Sequence, residues 1–312
     1  MTPSPARPTV GAGARTIAPA KLNATLLVGP VRPDDGRHEL TSVMQSLSLA
    51  DDVALVPAPD GDDADGVDCP GVTGDNLALD ALRAFRSATG WSAGPLTVQI
   101  VKRIPVAAGM AGGSTDAAAV LRLAAHLSGQ DDPELLQELA AGLGADVPHG
   151  LRPGLALATG AGERLVRVRG VLPGAVVVVR ADVGLATPGV FRRADELAPP
   201  RTAEDLEAWR LRVVDALEAV GSGELARYPD GLAVNDLGAA AVDLAPVVGE
   251  HLDALAAAGA APALVCGSGP TTVGWFADEA TATVAARRLR ADGLDALIAV
   301  PSAGAPIAAV EA

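Results

Sequence analysis

Residues 105–119 read PVAAGMAGGSTDAAA, a run of small side chains directly ahead of a predicted helix. Glycine costs backbone entropy on folding, so three glycines in one loop indicate that the backbone approaches something closely. The preceding stretch, 95–105 (PLTVQIVKRIP), alternates apolar and polar residues as a strand does. A strand, a glycine-rich loop and a helix in that order present free N–H groups that attract anions. We therefore expect a phosphate-binding loop, although a tight loop capped by Ser114 or Thr115 explains the same spacing.

The loop lacks the two commonest phosphate-binding fingerprints. The pattern G-x-x-x-x-G-K-[ST] needs a lysine that is missing here, and G-x-G-x-x-G needs a glycine where the chain has Ala107. The hydroxyls of Ser114 and Thr115 remain suited to phosphate oxygens, and that of Ser114 to Mg²⁺. Spacing alone therefore leaves the ligand open.

Length, composition and charge limit the classes of function. The chain has 312 residues, of which 49% are hydrophobic and 20% charged, which is typical of a globular protein with more than one lobe. A formal net charge of −14 opposes binding to nucleic acid or to an anionic membrane. The N-terminal segment, 1–15, has no apolar core typical of a signal peptide and reads as a flexible tail. Cys69 and Cys266 lie far apart in sequence, which favours a reducing cytoplasm over a disulfide or zinc site.

Strand and helix patterns alternate along the chain and predict an α+β fold. We expect a first lobe over 16–165, a second over 166–302 and a C-terminal tail over 303–312. The acidic stretch 57–71 (PAPDGDDADGVDCPG) reads as an exposed loop. Further patterns predict strands at 22–31, 43–56, 155–158, 164–168, 174–182, 263–266, 272–277 and 295–300. Helices are predicted at 77–88, from the end of the glycine-rich loop to about 127, and at 133–143, 203–219, 239–257 and 279–291.

Lysine is rare in this chain. Of the 24 Lys and Arg residues, only Lys21 and Lys102 are lysine. A site that needs a compact ammonium cannot use the planar arginine side chain, so both lysines are candidates for function. A solvated lysine is the ordinary alternative for each.

Several stretches together resemble the GHMP small-molecule kinases. PAKLN (19–23), the loop 105–119, LGADVP (143–148) and CGSGPT (266–271) occur in that family's order and spacing. RPDDGRHELTSVMQSLSLADDV (32–53) and NDLGAAAVDLAPVV (235–248) resemble the branch that acts on a cytidine-diphosphate-linked methylerythritol. The similarity runs from about residue 17 to about 300.

The resemblance implies both a fold and a reaction. The fold is the two-lobe GHMP kinase fold, with an N-terminal lobe like domain 2 of ribosomal protein S5 and a ferredoxin-like α/β C-terminal lobe. The reaction is ATP-dependent phosphorylation of the 2-hydroxyl of that cytidine-diphosphate-linked polyol, in non-mevalonate isoprenoid synthesis. ATP and Mg²⁺ would be the cofactors, and the enzyme would be a cytoplasmic monomer or homodimer.

The resemblance also implies roles for single residues. Asp146 matches the catalytic aspartate and Lys21 the catalytic lysine. A carboxylate within reach of the alcohol proton assists phosphoryl transfer, and a nearby cation favours its ionised form. Whether Asp146 removes the proton or orients the hydroxyl stays open, and an aspartate that only caps a turn before Pro148 fits the local sequence as well.

Two further sets of residues follow from the family motifs. The expected ATP-binding residues are Asn76, Lys102, Pro105, Val106, Ala107, Ala108, Gly109, Met110, Ala111, Gly112, Gly113, Ser114 and Thr115. The expected substrate-binding residues are Asn23, Arg37, His38, Phe191, Gly267, Ser268 and Gly269, with His38 bonding the cytosine and Phe191 stacking on it. Ser114 is the expected Mg²⁺ ligand.

Some positions depart from the family pattern. Arg37 replaces a tyrosine that would clamp the cytosine, Ala108 replaces a glycine, and His149 stands where an apolar or aromatic residue is common. Arginine can also stack on a base. A GHMP kinase for mevalonate, homoserine or a sugar, or a non-catalytic ligand sensor of this fold, therefore remains an alternative. A nicotinamide-dependent dehydrogenase does not fit, because the loop lacks the required glycine.

Overall fold

A computed structural model describes residues 13–106, 108–304 and 307–309. The strands within these residues are β1 (Ala14–Val31), β2 (His38–Pro57), β3 (Gly66–Asp68), β4 (Leu96–Val101), β5 (Leu155–Thr159), β6 (Arg164–Val168), β7 (Ala175–Arg180), β8 (Ala263–Val265), β9 (Thr272–Phe276), β10 (Asp295–Ala299) and β11 (Ala308–Ala309). The helices are α1 (Leu77–Thr89), α2 (Gly112–Ser128), α3 (Pro133–Leu143), α4 (Val147–Leu151), α5 (Thr187–Leu197), α6 (Ala203–Gly221), α7 (Gly238–Leu244), α8 (Val247–Ala257) and α9 (Glu279–Ala291).

The first lobe is built on the long antiparallel pair of β1 and β2. The sheet runs β11-β1-β2-β4-β3, and β5 pairs with β2 and with β6. Helices α1 and α2 cover it with an apolar cluster that includes Leu82, Phe85 and Val98. Asn76 starts α1, because its side chain accepts a hydrogen bond from the amide of Ala78.

The second lobe has a four-stranded antiparallel sheet in the order β10-β7-β9-β8. With helices between β7 and β8 and between β9 and β10, this is the ferredoxin-like arrangement that we expected. The continuous apolar run of β7 is explained by burial on both faces. Val176 and Val178 face the first lobe, whereas Val177 and Val179 pack against the helices on the other side.

The two lobes share one hydrophobic core. Leu22 and Val43 of the first sheet belong to the same buried cluster as Val176 and Trp275 of the second. The lobes therefore meet over an apolar contact, and a cleft opens beside it.

Several elements differ from the sequence-based expectations. The helix predicted over 239–257 is two helices, α7 and α8, because Pro246 cannot donate the hydrogen bond that would continue the first. Within the acidic stretch 57–71, β3 pairs in parallel with β4. The expected lobe boundary falls inside β6, which pairs with β5 and so belongs to the first sheet. Helices α4 and α5 were not predicted.

Both expected tails contribute to the first sheet where they are described. Ala14 and Arg15, assigned above to the N-terminal tail, pair with Ala309 and Ala308 of the C-terminal tail. The rest of the N-terminal tail, 1–12, lies outside the described residues, as do 305–306 and 310–312. In the described part of the chain, no helix combines the length and apolarity that crossing a bilayer requires.

Candidate active site

A cleft of about 560 Å³ lies between the lobes, bounded by the glycine-rich loop, the start of α2, β1 and the turn at 267–268. Most of the expected site residues line it: Lys21, Asn23, Asn76, Lys102, Pro105, Val106, Ala108, Gly109, Met110, Ala111, Gly112, Gly113, Ser114, Asp146, Phe191, Gly267 and Ser268. Arg37, His38, Thr115 and Gly269 are not part of its lining, and Ala107 lies outside the described residues.

Lys21 and Asp146 meet in this cleft. The Nζ of Lys21 lies 3.2 Å from Oδ1 of Asp146 and donates to Oδ1 of Asn23 at 2.9 Å. Asn23 in turn donates to Ser42 at 2.7 Å, which fixes its amide and so the direction of the lysine. Lys21 is only 4% exposed, whereas the side chain of Asp146 is 35% exposed and can be reached from the cleft.

Asp146 stands at the N-cap position of α4, but its side chain makes no capping hydrogen bond to that helix. The alternative in which Asp146 serves only to cap a turn before Pro148 is therefore wrong. The carboxylate is left for the lysine and for a ligand.

The start of α2 presents unused backbone amides. The residue before the helix, Ala111, has no side-chain cap, and the first backbone bond runs from the amide of Thr115 to the carbonyl of Ala111. The amides of Gly112, Gly113 and Ser114 precede that bond and have no acceptor within the helix. A Cβ on Gly113 would meet nothing within 4 Å, so open space lies in front of this turn.

The two hydroxyls of the loop differ in their availability. Thr115 is 2% exposed and donates to the carbonyl of Gly112 at 3.1 Å, so it acts within the helix. Ser114 lines the cleft. The alternative of a loop capped by Ser114 or Thr115 is wrong, because neither residue is the cap.

The backbone conformation and the close packing of Gly109 require a glycine, which the sequence did not reveal. Its φ is +69°, and a Cβ there would lie 2.6 Å from the carbonyl oxygen of Cys266 and 3.0 Å from that of Gly269. The glycine-rich loop therefore packs backbone to backbone against the second turn. Asn235 holds this turn by donating to the carbonyls of Val265 and Gly267 at 2.7 and 2.8 Å.

Lys102 lies between two carboxylates at the edge of the cleft. Its Nζ lies 2.5 Å from Asp51 and 2.7 Å from Asp116. Burial raises the pKa of Asp116 to about 7, against the opposing charge of Lys102. Burial alone would lower the pKa of Lys102, but the two aspartates raise it. Oδ1 of Asp116 is buried and has no hydrogen-bond partner.

Sequence reasoning missed Asp51, Asp116 and Asn235. The rarity of lysine was a usable signal for the first two, because a half-buried lysine needs carboxylate partners. Asn235 stands in the segment NDLGAAAVDLAPVV, but nothing in its spacing tells which carbonyls its amide reaches.

A stacked pair of rings stands beside the cleft. The rings of His38 and Phe191 are 5.5 Å apart and inclined by 25°. His38 Nδ1 donates to the carbonyl of Gly29 at 2.8 Å, and its Nε2 lies 3.3 Å from Asp195. Arg37 points away into solvent, with its guanidinium 3.9 Å from Asp35. In this structure it therefore does not take the place of a cytosine-clamping tyrosine.

Comparison with known proteins decides the family. Residues 76–156 match the family model of the GHMP kinases N terminal domain, and residues 216–294 match that of the GHMP kinases C terminal. A protein of Kineococcus radiotolerans named 4-diphosphocytidyl-2-C-methyl-D-erythritol kinase is 41% identical over 93% of this chain and 88% of its own length. One of the same name from Streptomyces coelicolor is 41% identical over 88% of this chain and 91% of its own. The chain belongs to the GHMP kinase family.

Solved structures of GHMP kinases agree with this placement. A crystal structure of 4-(cytidine 5'-diphospho)-2C-methyl-D-erythritol kinase is 34% identical in sequence to this chain, with a TM-score of 0.71. The match covers 91% of this chain and 98% of the chain in that structure. A homoserine kinase from Cytophaga hutchinsonii, 13% identical with a TM-score of 0.70 and 99% of each chain covered, shares the fold. The family resemblance and the α+β two-lobe GHMP kinase fold are confirmed. GHMP kinases take the transferred phosphoryl group from ATP.

Proposed function

We propose that this protein is an ATP-dependent kinase that phosphorylates the 2-hydroxyl of 4-diphosphocytidyl-2-C-methyl-D-erythritol in non-mevalonate isoprenoid synthesis. The similarity to proteins of that name over about nine-tenths of the chain supports the substrate. The observation that carries the chemistry is the pair Lys21–Asp146, which faces the same cleft as the free amides at the start of α2.

Phosphoryl transfer requires the protein mainly to align the two reactants and to neutralise the negative charge of the phosphates, with little covalent chemistry. The 2-hydroxyl oxygen forms a bond to the γ-phosphorus of ATP, the bond from that phosphorus to the bridging oxygen breaks, and ADP leaves. Asp146 accepts the hydroxyl proton or its hydrogen bond, and Lys21 offsets the negative charge beside it. Both roles fit the exposure of Asp146 and the burial of Lys21.

The glycine-rich loop and the start of α2 are the proposed phosphate site. The amides of Gly112, Gly113 and Ser114 offer three donors and the positive end of a 17-residue helix. The open space in front of Gly113 is where a phosphate would enter. Asn76 and Lys102 also line the cleft, and we assign them to the nucleoside side of ATP.

The donor set also suits Mg²⁺. Among the described residues no group of three or more His, Cys, Asp or Glu side chains could hold a metal. Mg²⁺ in kinases needs only one or two protein oxygens, because phosphates and water supply the rest. Ser114 and Asp116 line the cleft, and their hydroxyl and carboxylate groups are the proposed protein oxygens for the ion. The ion would neutralise phosphate charge there.

The substrate end of the cleft is proposed around Asn23, Phe191, Gly267 and Ser268. The hydroxyls of Ser268 and Thr187 are hydrogen-bonded at 2.9 Å. This bond connects the turn to α5, the helix that carries Phe191. His38 supports Phe191 by stacking. We further propose a cytoplasmic monomer or homodimer, and the free thiols of Cys69 and Cys266 agree with a reducing compartment.

A coupled kinase assay tests this proposal. The purified protein is given ATP, Mg²⁺ and either 4-diphosphocytidyl-2-C-methyl-D-erythritol, mevalonate, homoserine or a sugar. We expect turnover of the cytidine-linked alcohol, and the Asp146→Asn variant should lose several orders of magnitude in kcat while binding ATP within a few-fold of the unchanged protein. Turnover of a different alcohol alone, or a fully active Asp146→Asn variant, contradicts the proposal.

A further inference from the structure

A buried histidine and an arginine lie behind the Lys21–Asp146 pair. His149, three residues after Asp146, is 1% exposed. Its Nε2 lies 3.0 Å from the hydroxyl of Ser46 on β2, and its Nδ1 lies 3.3 Å from a guanidinium nitrogen of Arg167 on β6. Arg167 also donates to the carbonyls of Pro148 and His149 at 3.1 and 3.0 Å.

The donor and acceptor roles in this network are determined by chemistry. A guanidinium only donates, so Nδ1 of His149 must accept, and the ring proton must sit on Nε2. Nε2 therefore donates to Ser46, whose oxygen also accepts from the amide of Gly154 at 3.0 Å. Burial, together with the charges of Arg167 and Lys21, lowers the pKa of His149 to about 3, which agrees with a neutral ring.

The network bears on the reactive pair because of its position in the sheet. Ser46 on β2 is the register partner of Lys21 on β1. His149 therefore ties the short helix that follows Asp146 to the residue directly across from Lys21. Lys21 is thus linked to Asp146 in two ways. One is the direct contact of 3.2 Å between their side chains, and the other runs through Ser46 and His149.

Helix α4 depends on such contacts for its position. It has only five residues, and a helix of that length is not stable alone. On one side Gly150 packs on α2, where an added Cβ would lie 2.6 Å from Cβ of Ala118. On the other side Arg167 binds the carbonyls of Pro148 and His149. Since Asp146 makes no capping bond of its own, these contacts set where its carboxylate stands.

We propose that His149 and Arg167 are positioning residues that hold Asp146 opposite Lys21 for phosphoryl transfer. The proposal rests on the proposed function for its kinetic readout, but the geometry it describes is a property of the protein without substrate.

The kinetic test uses His149→Leu and Arg167→Met, each alone and combined with Asp146→Asn. Alone, each should lower kcat at least tenfold at saturating substrate and leave the Kd of ATP within twofold. In the Asp146→Asn background each should add less than a twofold further loss, because the residue through which they act is already disabled. His149→Gln, which keeps a donor for Ser46, should retain kcat within about threefold.

Arg86→Met is the matched control. Arg86 on α1 also donates to backbone carbonyls, those of Trp91, Ala93 and Gly94, but lies away from the cleft. Its loss should lower the melting temperature without changing kcat. Two results overturn the positioning role. One is an unchanged kcat in His149→Leu and Arg167→Met below their melting temperatures, as expected for Arg86→Met. The other is a double variant with Asp146→Asn whose loss in kcat equals the product of the two single losses.

A second readout needs no turnover. In protein labelled with ¹³C at aspartate carboxyl carbons, the Asp146 resonance is identified by its absence in Asp146→Asn. It should shift in His149→Leu and Arg167→Met and stay in place in Arg86→Met. An unmoved resonance in His149→Leu and Arg167→Met overturns the positioning proposal. If the wild-type protein fails to phosphorylate the cytidine-linked alcohol, the proposed function is overturned instead, and the spectroscopic result still decides the positioning proposal.

Discussion

Ala111 has a φ of 59°, the one positive value at a non-glycine residue within the described ranges. The left-handed region places Cβ close to the next carbonyl and costs about 1–2 kcal/mol for a residue other than glycine. Ala111 directly precedes the free amides of α2, so this backbone turn aims them into the cleft.

Replacing Ala111 by glycine should relieve this strain. The Ala111→Gly variant should gain about 0.5–1 kcal/mol in free energy of unfolding, because the relief outweighs the added freedom of the unfolded chain. Urea unfolding of both proteins measures the difference, and the Kd of ATP checks that the loop keeps its shape. A less stable variant would mean that the turn carries no strain.

Phe191 is the residue on which base recognition is proposed to depend. Phe191→Ala should weaken binding of the cytidine-linked substrate by about 1–3 kcal/mol, the usual contribution of stacking between a base and an aromatic ring. The measurement is the substrate KM at saturating ATP, with the Kd of ATP as the control. An unchanged KM would remove Phe191 from the substrate site.

At the scale of elements, the cleft depends on two glycine-bearing turns that contact each other. The glycine-rich loop and the turn after β8 touch through backbone atoms at Gly109, Cys266, Gly267 and Gly269. The thiol of Cys266 is fully buried beneath them, and burial raises its pKa to about 11, so it acts as a packing residue. The glycine-rich loop therefore takes its position from the second lobe, although its sequence lies in the first.

Gly109→Ala and Gly113→Ala distinguish a glycine required by close backbone packing from a glycine that borders open space. At Gly109 an added Cβ collides with the carbonyl of Cys266 at 2.6 Å and requires a positive φ, so the variant should lose more than about 1 kcal/mol of stability. At Gly113 the space is open and the residue is helical, so alanine should leave stability unchanged or higher by up to about 1 kcal/mol.

The same pair of variants also tests the nucleotide site. If phosphate occupies the space in front of Gly113, the Gly113→Ala variant should bind ATP at least tenfold more weakly despite its intact fold. Thermal unfolding and calorimetric titration with ATP measure both quantities. Unchanged ATP affinity in Gly113→Ala would place the phosphates elsewhere.

At the scale of the whole molecule, two strands and a helix are joined by one neutral histidine. His149 connects α4 to β2 through Ser46 and to β6 through Arg167, and Lys21 on β1 is the other charge that depresses its pKa. An unfolded histidine has a pKa near 6.5. Between about pH 6.5 and 3 the unfolded chain therefore binds a proton that the folded chain does not.

This difference makes the protein sensitive to acid. The stabilisation is present above about pH 6.5 and is lost as pH falls, by about 2 kcal/mol between pH 7 and pH 5. Asp116, whose pKa is raised, changes stability in the opposite direction over this range, so the wild type alone is not diagnostic. The free energy of unfolding of His149→Gln should fall less between pH 7 and pH 5 than that of the wild type. Equal pH dependence in the two proteins would show that His149 does not titrate in this way.

Regular elements were predictable where one local pattern dominates. The bounds of α3 and α9 match the prediction because a capping aspartate and apolar periodicity agree there, and those of β6 match because its short strand pattern is flanked by turns. Helix α5 was missed because glycine and proline stand in its first turn, and α4 because five residues carry no period. In the site, Lys21, Asp146 and the glycine-rich loop were named from motifs, whereas Arg37 was expected at the base and lies in solvent.

The sequence by itself determined the family, the two-lobe fold and the glycine-rich loop, and it named the two side chains proposed for catalysis, because these depend on motifs in which neighbouring residues fix the backbone. The tertiary structure alone decided that Lys21 and Asp146 meet at 3.2 Å, that Lys102 lies between Asp51 and Asp116, and that His149 is buried neutral against Arg167. Each of these contacts joins residues distant in the chain. Their distances follow from strand register and from the packing of helices on sheets, which local sequence does not encode.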